Sequence, residues 1–385
     1  MSDLASKPTV SQTVDGFSVE WAEGIVASVE RLAEHRDELS AEISIRSDRL
    51  PRPGLLHRAR LNLMSSQSRR TLATALEKRE TGLDWPAMLE QLCAMVSDRY
   101  RAGEPEIDLR TYAEVNTVRW LLEPFVELGG PTILFADGGS GKSMVALAMA
   151  VSVASGQPIL GTLRSLPKPV LYLDWETDGP TVNERIHAIC AGAGIPETPA
   201  VFYRRQVASL SESIGEIRRI VQKRAIGMVI VDSLGAARGG EPESADVTIR
   251  MFNAARSMGV PWLGVDHVTK AAGNDATKPF GSAFSSNLAR LTWGMDKADE
   301  AGEQSIKVAL MNRKQNNVRR VKPLGYQIDF ERDDDGFLWS VRFKSLDVAH
   351  DGDLGRHASI PERIMATLGA AAGAMTPKEV AEQSG

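Results

Sequence analysis

The sequence predicts an α/β fold with a mostly parallel sheet, and three observations support this prediction. Between Leu121 and Phe343, short apolar runs alternate with helical segments, which is the pattern of parallel strands joined by crossover helices. A Gly-rich loop, Ala136–Ser143, joins one apolar run to an Ala-rich helix. A second strong run, Gly227–Asp232, ends in an aspartate. Around this core we expect a small mixed or helical N-terminal domain and a truncated helical C-terminal segment.

The Gly-rich loop reads A-D-G-G-S-G-K-S and lies between a predicted strand, Thr132–Ala136, and a predicted helix, Ser143–Ser155. This order is the context of a phosphate-binding P-loop, in which backbone N–H groups and the helix N-terminus face phosphate oxygens. Lys142 would reach the β- and γ-phosphates, and the Ser143 hydroxyl would bind Mg²⁺. We therefore expect ATP and Mg²⁺ as ligands. The expected nucleotide contacts are the loop residues Asp137, Gly138, Gly139, Ser140, Gly141, Lys142, Ser143 and Met144.

Two further predicted strands end in carboxylates. Val170–Asp174 leads into Glu176, and Gly227–Asp232 ends in Asp232 itself. Because the carboxyl ends of parallel strands face the ligand in such sheets, we expect Asp232 to hold the water shell of Mg²⁺ and Glu176 to deprotonate an attacking water. Each residue also has a plainer interpretation. Asp232 would cap the next segment, and Glu176 would be an acid that a helix N-terminus favours.

The composition is that of an ordinary globular protein of 385 residues, with a net charge of −5 and a pI of about 5.8. Bulk charge therefore does not indicate a nucleic-acid partner, and any such contact needs a local basic patch. The two cysteines, Cys93 and Cys190, are predicted to be buried thiols rather than a disulfide. No apolar run reaches the ~18 residues that span a bilayer, and the N-terminus lacks an apolar signal core. We expect a cytoplasmic protein.

The chain is predicted to divide into a disordered tail (1–15), an accessory domain (16–110), the ATPase core (111–350) and a linker with the start of a winged-helix module (351–385). In the accessory domain, Leu39–Ile45 alternates as a strand does, and Ile25–Leu32 fits strand or helix equally. Three helices are expected to follow, at Leu55–Met64, Ser68–Glu80 and Trp85–Arg101. The first two are basic, which indicates either a partner-docking face or a solvated helix surface.

Within the core, two Gly-rich polar segments follow neighbouring strands: Ser233–Ala245 and, after the strand Pro261–Asp266, Ala271–Gly281. Segments with few apolar residues pack poorly and order on a ligand, so we expect both to be mobile. The remaining expected strands come late in the core, at Leu288–Trp293, Ser305–Asn312, Gly325–Phe330 and Leu338–Phe343.

The ordered set ADGGSGKS, LYLDWETD, VIVDS, VDHVTK, GSAFSSNLARLTW and MNRK resembles the RecA-like AAA family ATPases, and within them the RepA-type hexameric replicative helicases. The resemblance covers Leu121–Phe343. It implies that Glu176 activates water, that Asp232 is the Walker B carboxylate, and that His267 is a sensor coupling the γ-phosphate to a DNA-binding loop. The alternative for His267 is a core histidine with a satisfied ring.

The same resemblance implies that the two polar segments bind single-stranded DNA, through Arg238, Lys270, Asn274 and Lys278. In the family a late K-N-R motif reaches into a neighbouring subunit's ATP. Here the motif is M-N-R-K, so either Arg313 or Lys314 would be the finger, and Arg313 is otherwise a surface arginine. A finger that acts in trans implies a homo-oligomeric ring, expected to be a hexamer.

The predicted function is an ATP-hydrolysing motor on single-stranded DNA, of the plasmid or phage replicative helicase type. Two alternatives stay open. One is a recombination ATPase of the same fold that coats single strands, and the other is a regulatory ATPase that ignores DNA.

Overall fold

The computed structural model describes residues 5–36, 38–51, 54–103, 106–111, 119–161, 164–268, 279, 283–298, 304–316, 320–371 and 373–384. The chain divides into two compact units, Met1–Val115 and Asn116–Gly385. Each unit is described by itself below.

The first unit is an antiparallel sheet followed by two helices. Its strands, which neighbour one another in chain order, are β1 (Thr9–Gln12), β2 (Gly16–Glu20), β3 (Ile25–His35), β4 (Glu38–Ser47) and β5 (Leu55–Asn62). The helices are α1 (Ser66–Glu77), which Ser65 caps, and α2 (Trp85–Ala102), which Asp84 caps. Capping side chains accept the first unpaired backbone N–H groups of each helix, which fixes where both begin.

The core of this unit lies between one sheet face and the two helices. Alternate strand residues such as Val29, Ile43 and Ile45 pack with Leu76 and Leu92 of the helices in one buried cluster. The period-two alternation of β4 therefore decides which sheet face is covered. Cys93 is buried here as a free thiol and Cys190 is buried in the second unit, which confirms the prediction for both.

Two predictions for this unit are wrong. Thr9–Gln12 is not disordered, because it pairs with β2 and buries Val10. Leu55–Met64 is not a helix. Its residues 55–62 pair with β4, which places Ala59 opposite Ile43 and Leu61 opposite Ala41. The sequence of β5 has no clean alternation, so only the long-range partner selects the strand. The ambiguous stretch Ile25–Leu32 belongs to β3.

The second unit contains a nine-stranded sheet with helices on its faces and a separate three-stranded sheet. The large sheet confirms the predicted α/β fold with a mostly parallel sheet. The strands of the unit are β6 (Trp120–Glu123), β7 (Val126–Glu127), β8 (Thr132–Ala136), β9 (Arg164–Ser165), β10 (Val170–Asp174), β11 (Val201–Arg205), β12 (Met228–Asp232), β13 (Trp262–His267), β14 (Leu291–Lys297), β15 (Ser305–Gln315), β16 (Leu324–Arg332) and β17 (Leu338–Leu346). Its helices are α3 (Lys142–Ser155), α4 (Gly179–Gly192), α5 (Leu210–Lys223), α6 (Leu234–Ala237), α7 (Ala245–Arg256), α8 (Ala283–Leu288), α9 (Ile360–Ala370) and α10 (Pro377–Ser384).

The strand order of the large sheet is β11-β10-β12-β13-β8-β14-β15-β16-β17. From β11 to β14 all neighbours are parallel, and from β14 to β17 they are antiparallel. β6, β7 and β9 form a small separate sheet. Because β10, β12, β13 and β8 are parallel neighbours, their carboxyl ends lie at one edge, where sheets of this kind bind ligands.

Two buried layers flank the large sheet. On one face α3 and α4 pack with strand residues such as Tyr172 and Ile230, and nearly every α3 side chain is buried. On the other face α5 and α7 cover the alternate residues, including Leu171 and Val231. A parallel sheet covered on both faces explains why its strands read as continuous apolar runs.

Two predictions for the core need correction. Ser233–Ala245 is not simply a soft loop, because it contains α6, whose Leu234 and Ala237 are buried in the core. The expected strand Leu288–Trp293 starts later, because Ala283–Leu288 forms α8 and the strand is Leu291–Lys297. The second polar segment, Ala271–Gly281, lies outside the described residues apart from Pro279, which forms an isolated antiparallel bridge with Val268. Among the described residues, no helix is both long and apolar enough to cross a bilayer.

Candidate active site

The P-loop connects β8 to α3 at the carboxyl edge of the sheet. Gly141 precedes the helix with φ of 93°, and Gly139 has φ of 71°, values at which a side chain would be strained. A Cβ added at Gly138 or Gly139 would meet nothing within 4 Å, so the loop opens onto free space. The glycines therefore leave the loop backbone open to a ligand in front of the α3 N-terminus.

Lys142 is the first residue of α3 and is buried beside the loop. Its Nζ donates to the backbone carbonyl oxygens of Ala136 at 3.0 Å and Asp137 at 2.7 Å. Burial lowers the pKa of Lys142, whereas the nearby carboxylates of Asp232 and Glu176 act to raise it. An ammonium held by carbonyl oxygens at the mouth of the loop can exchange these partners for phosphate oxygens of a nucleotide.

Asp232, at the end of β12, lies beside the start of α3. The Ser143 side chain lies close enough to its carboxylate to act on the pKa of Asp232. The Tyr172 hydroxyl, from the neighbouring strand β10, donates to Asp232 Oδ2. Burial raises the pKa of Asp232, and the hydroxyls of Tyr172 and Ser143 act in the opposite direction. The site thus holds a buried carboxylate next to a hydroxyl, which is an oxygen set that suits Mg²⁺.

Glu176 follows β10 on a tight turn that Asp174 organises. Asp174 Oδ1 accepts the backbone N–H groups of Glu176 at 2.9 Å and Thr177 at 3.0 Å, and Oδ2 accepts the Thr177 hydroxyl. The Glu176 carboxylate accepts the Ser233 hydroxyl and lies 3.8 Å from His267 Nε2. Glu176 and His267 are each nearly half exposed, at 47% and 46% of their side chains, so water reaches both.

A cleft of about 410 Å³ lies between Glu176, His267 and the start of the P-loop. It is lined by Asp137, Gly138, Glu176, Ser233, Gly235, Ala236, Asp266, His267 and Val268. Residues that are far apart in the sequence therefore meet at one edge of the sheet. The P-loop, Glu176, Asp232 and His267 are brought together as the sequence analysis expects, because each stands at the end of a parallel neighbour strand.

The residues present fit ATP and Mg²⁺. The P-loop offers open space beside Gly138 and Gly139, a helix N-terminus and an ammonium group. Ser143 and Asp232 would hold the cation, and Lys142 would contact the phosphates. The arrangement can bind a nucleoside triphosphate and present a carboxylate, Glu176, to a water molecule on the open side of the cleft.

Arg238 requires a correction. The structure removes it from the candidate DNA contacts, because its side chain is fully buried against the buried side chain of Asp266, at 2.6 Å. It also donates to the Ser285 hydroxyl at 3.1 Å. The pair joins the end of α6 to the end of β13 and to α8. Burial raises the pKa of Asp266, and Arg238 counteracts this. The other candidate DNA contacts, Lys270, Asn274 and Lys278, lie outside the described residues.

The two candidate finger residues, Arg313 and Lys314, differ in their surroundings. Neither lines the cleft within this chain. The Arg313 side chain packs over Gly294, with Cγ and Nε 3.3 Å from where a Cβ would lie. Lys314 Nζ donates to three backbone carbonyl oxygens at the end of α8, those of Ser286, Asn287 and Ala289. Lys314 therefore caps the C-terminal end of α8.

Sequence reasoning missed Tyr172 and the Arg238–Asp266 pair. A signal for Tyr172 was available, because a hydroxyl in the middle of the buried run VLYLD needs a polar partner. No such signal marked Arg238. Its Gly-rich surroundings predict exposure, and only the packing of α6 shows otherwise.

The fold and the site define a P-loop nucleoside triphosphatase with a RecA-like core. A protein-family model described as an AAA domain matches residues 99–273, the part of the chain that holds the P-loop, Glu176, Asp232 and His267. The crystal structure of a KaiC-like protein from the hyperthermophilic archaeon Pyrococcus horikoshii is a weaker match. It has 14% identity and a TM-score of 0.40, and covers 58% of this chain and 93% of the other. The ATPase assignment rests on the matched domain together with the strand order and the site.

Proposed function

We propose that this ATPase is a motor on single-stranded DNA, of the plasmid or phage replicative helicase type. The observation that carries the proposal is the contact between Glu176 and His267 across the cleft. His267 ends β13, and the chain continues directly into the segment that contains Lys270, Asn274 and Lys278. His267, at the hydrolysis site, is therefore followed within 11 residues of sequence by all three of these candidate DNA contacts (278 − 267 = 11).

The chemistry needs positioning and charge stabilisation rather than a covalent intermediate. Lys142 would hold the β- and γ-phosphates, and Ser143 and Asp232 would hold Mg²⁺, which supplies charge neutralisation when bound. Glu176 would orient and deprotonate the attacking water, with Ser233 fixing the direction of its carboxylate. His267, 3.8 Å from Glu176, would sense the state of this carboxylate.

The active form would be a homo-oligomeric ring, expected to be a hexamer, in which Arg313 reaches the ATP of a neighbouring subunit. The hydrogen bonds of Lys314 support this choice between the two cations, because Lys314 would have to abandon three carbonyl partners to act as a finger. A finger acting in trans is worth about 10³–10⁵ in rate.

A DNA-independent regulatory ATPase is the second candidate. One observation favours it: among the four candidate DNA contacts, the one that falls on a described residue, Arg238, is buried in an ion pair. The net charge of −5 points the same way. In this case the segment after His267 would contact a protein partner.

Binding of a labelled single-stranded oligonucleotide in the presence of ATP tests the proposal. Fluorescence anisotropy is measured for the wild type, for Lys270→Glu combined with Lys278→Glu, and for the control Lys223→Glu. Lys223 is exposed at the end of α5, which leads away from the cleft. We expect the double variant to bind weakly and to lose about two units from the slope of log K against log salt, one per phosphate contact. Absence of ATP-dependent binding by the wild type would favour the regulatory ATPase.

A further inference from the structure

Tyr172 is a buried tyrosine on β10, the second strand from one edge of the large sheet. It lies on β10 opposite Ile230 of β12, and its side chain is almost completely buried. Its neighbours in the sequence, Leu171 and Leu173, pack into the layer on the opposite sheet face. A phenol in such a position buries much apolar area, but its hydroxyl must find a partner.

The partner of that hydroxyl is the functional carboxylate of the site. Tyr172 donates to Oδ2 of Asp232, and Asp232 is itself buried, with 5% exposure. The Ser143 side chain of the P-loop helix faces the same carboxylate. Asp232 is therefore held between the core on one side and the P-loop on the other.

We propose that Tyr172 is a positioning residue for the Mg²⁺ site: its hydroxyl fixes one oxygen of Asp232 and so directs the other oxygen toward the cation that Ser143 would share. This rests on the proposed function only in that the chain binds Mg²⁺ with ATP, and DNA plays no part in it. Carboxylates that hold metal ions are commonly oriented by such outer hydrogen bonds, whose loss costs about 10–100-fold in metal affinity or activity.

Tyr326 shows what a purely structural buried tyrosine looks like in the same unit. Its hydroxyl donates at 2.9 Å to the backbone carbonyl oxygen of Leu160. Neither residue contacts Asp232, and neither is among the residues that would hold ATP or Mg²⁺. Tyr172→Phe and Tyr326→Phe each delete one buried phenol hydroxyl and keep the ring, so they form a matched pair. The pair separates loss of packing and hydrogen bonding in general from loss of the bond to Asp232.

The experiment measures binding of a fluorescent ATP analogue to the full chain by titration, once in EDTA and once over a series of Mg²⁺ concentrations. We expect Tyr172→Phe to bind the analogue in EDTA as tightly as the wild type. We expect it to need on the order of 10-fold more Mg²⁺ to reach the half-maximal gain in affinity. Tyr326→Phe should match the wild type in both titrations, even where its thermal unfolding temperature falls. Circular dichroism confirms that each variant is folded.

Each outcome decides a different claim. If the wild type gains affinity from Mg²⁺ and Tyr172→Phe shows the same Mg²⁺ midpoint, the positioning role is overturned and the ATPase stands. Equal shifts in both tyrosine variants would also overturn it, because a general loss of stability would explain them. If the wild type binds no nucleotide with Mg²⁺, both the proposed function and this inference fail.

Discussion

The ends of β10 and β12 have similar sequences but make different contacts. Asp174 and Asp232 lie opposite each other in the register of the two parallel strands, and both are buried. Each accepts a tyrosine hydroxyl: Asp174 that of Tyr203 at 3.2 Å, and Asp232 that of Tyr172. From the sequence alone, the two strand-ending aspartates are nearly equivalent.

The remaining contacts separate them. The Asp174 carboxylate accepts hydrogen bonds from the backbone N–H groups just beyond its own strand. These bonds stabilise the turn that carries Glu176. Asp232 faces Ser143 of the P-loop helix. A third case, Asp266 near the end of β13, is neutralised by Arg238 inside the protein. The contacts of each carboxylate, rather than its position in the strand, distinguish the three: Asp174 builds a turn, Asp232 faces the P-loop helix, and Asp266 is paired inside the protein.

The largest expected effect concerns the third aspartate. Arg238→Met leaves the buried carboxylate of Asp266 without its ion-pair partner, and breaking a buried pair in this way costs about 3–5 kcal/mol. We expect the free energy of unfolding in urea to fall by this amount. Adding Asp266→Asn should recover much of the loss, because the unpaired charge is removed. A wild-type stability for Arg238→Met would show that the pair does not hold α6 in place.

Asp232→Asn should have the next largest effect, on Mg²⁺-dependent hydrolysis. The change removes the anionic oxygen that would face the cation, and kcat/KM for ATP with Mg²⁺ should drop on the order of 100-fold or more. Nucleotide binding in EDTA should be retained, because Lys142 and the P-loop are unchanged. The measurement is steady-state ATP hydrolysis over a Mg²⁺ series. Unchanged Mg²⁺ dependence would remove Asp232 from the metal site.

Asp174→Asn should have a smaller effect of a different kind. The amide oxygen still accepts backbone N–H groups, but the negative charge that strengthens these bonds is lost. The Glu176 turn should loosen, and kcat should fall about tenfold, the equivalent of one hydrogen bond to a charged group. The Mg²⁺ midpoint should stay at the wild-type value. A shift of that midpoint as large as in Asp232→Asn would abolish the distinction between the two strand ends.

Local signals account for most of what could be predicted. The strand Thr132–Ala136 and the helix that starts at Lys142 carry their own pattern, since apolar residues, glycines and a helix start follow each other in a few residues. The meeting of Glu176, Asp232 and His267 also follows from the sequence, because parallel strands end at a common edge.

The errors share a physical cause, which is dependence on partners far away in the chain. β5 is a strand only because β4 offers it backbone hydrogen bonds. The Gly-rich segment around Arg238 predicts an exposed side chain, whereas in the structure this side chain is buried and bound to Asp266 and Ser285. The role of Tyr172 depends on a carboxylate 60 positions later in the chain. The composition and periodicity of a sequence do not show which distant residues will pair in the fold.

The central claim is that Glu176 is the base of a DNA-responsive ATPase. The most direct measurement is ATP hydrolysis with and without single-stranded DNA, for the wild type, Glu176→Gln and the control Glu197→Gln, whose carboxylate is exposed outside the cleft. We expect DNA to stimulate the wild type and Glu197→Gln equally. Glu176→Gln should lose about 10²–10⁴-fold in kcat under both conditions while still binding ATP. Wild-type activity in Glu176→Gln, or hydrolysis that ignores DNA in every variant, would contradict the account.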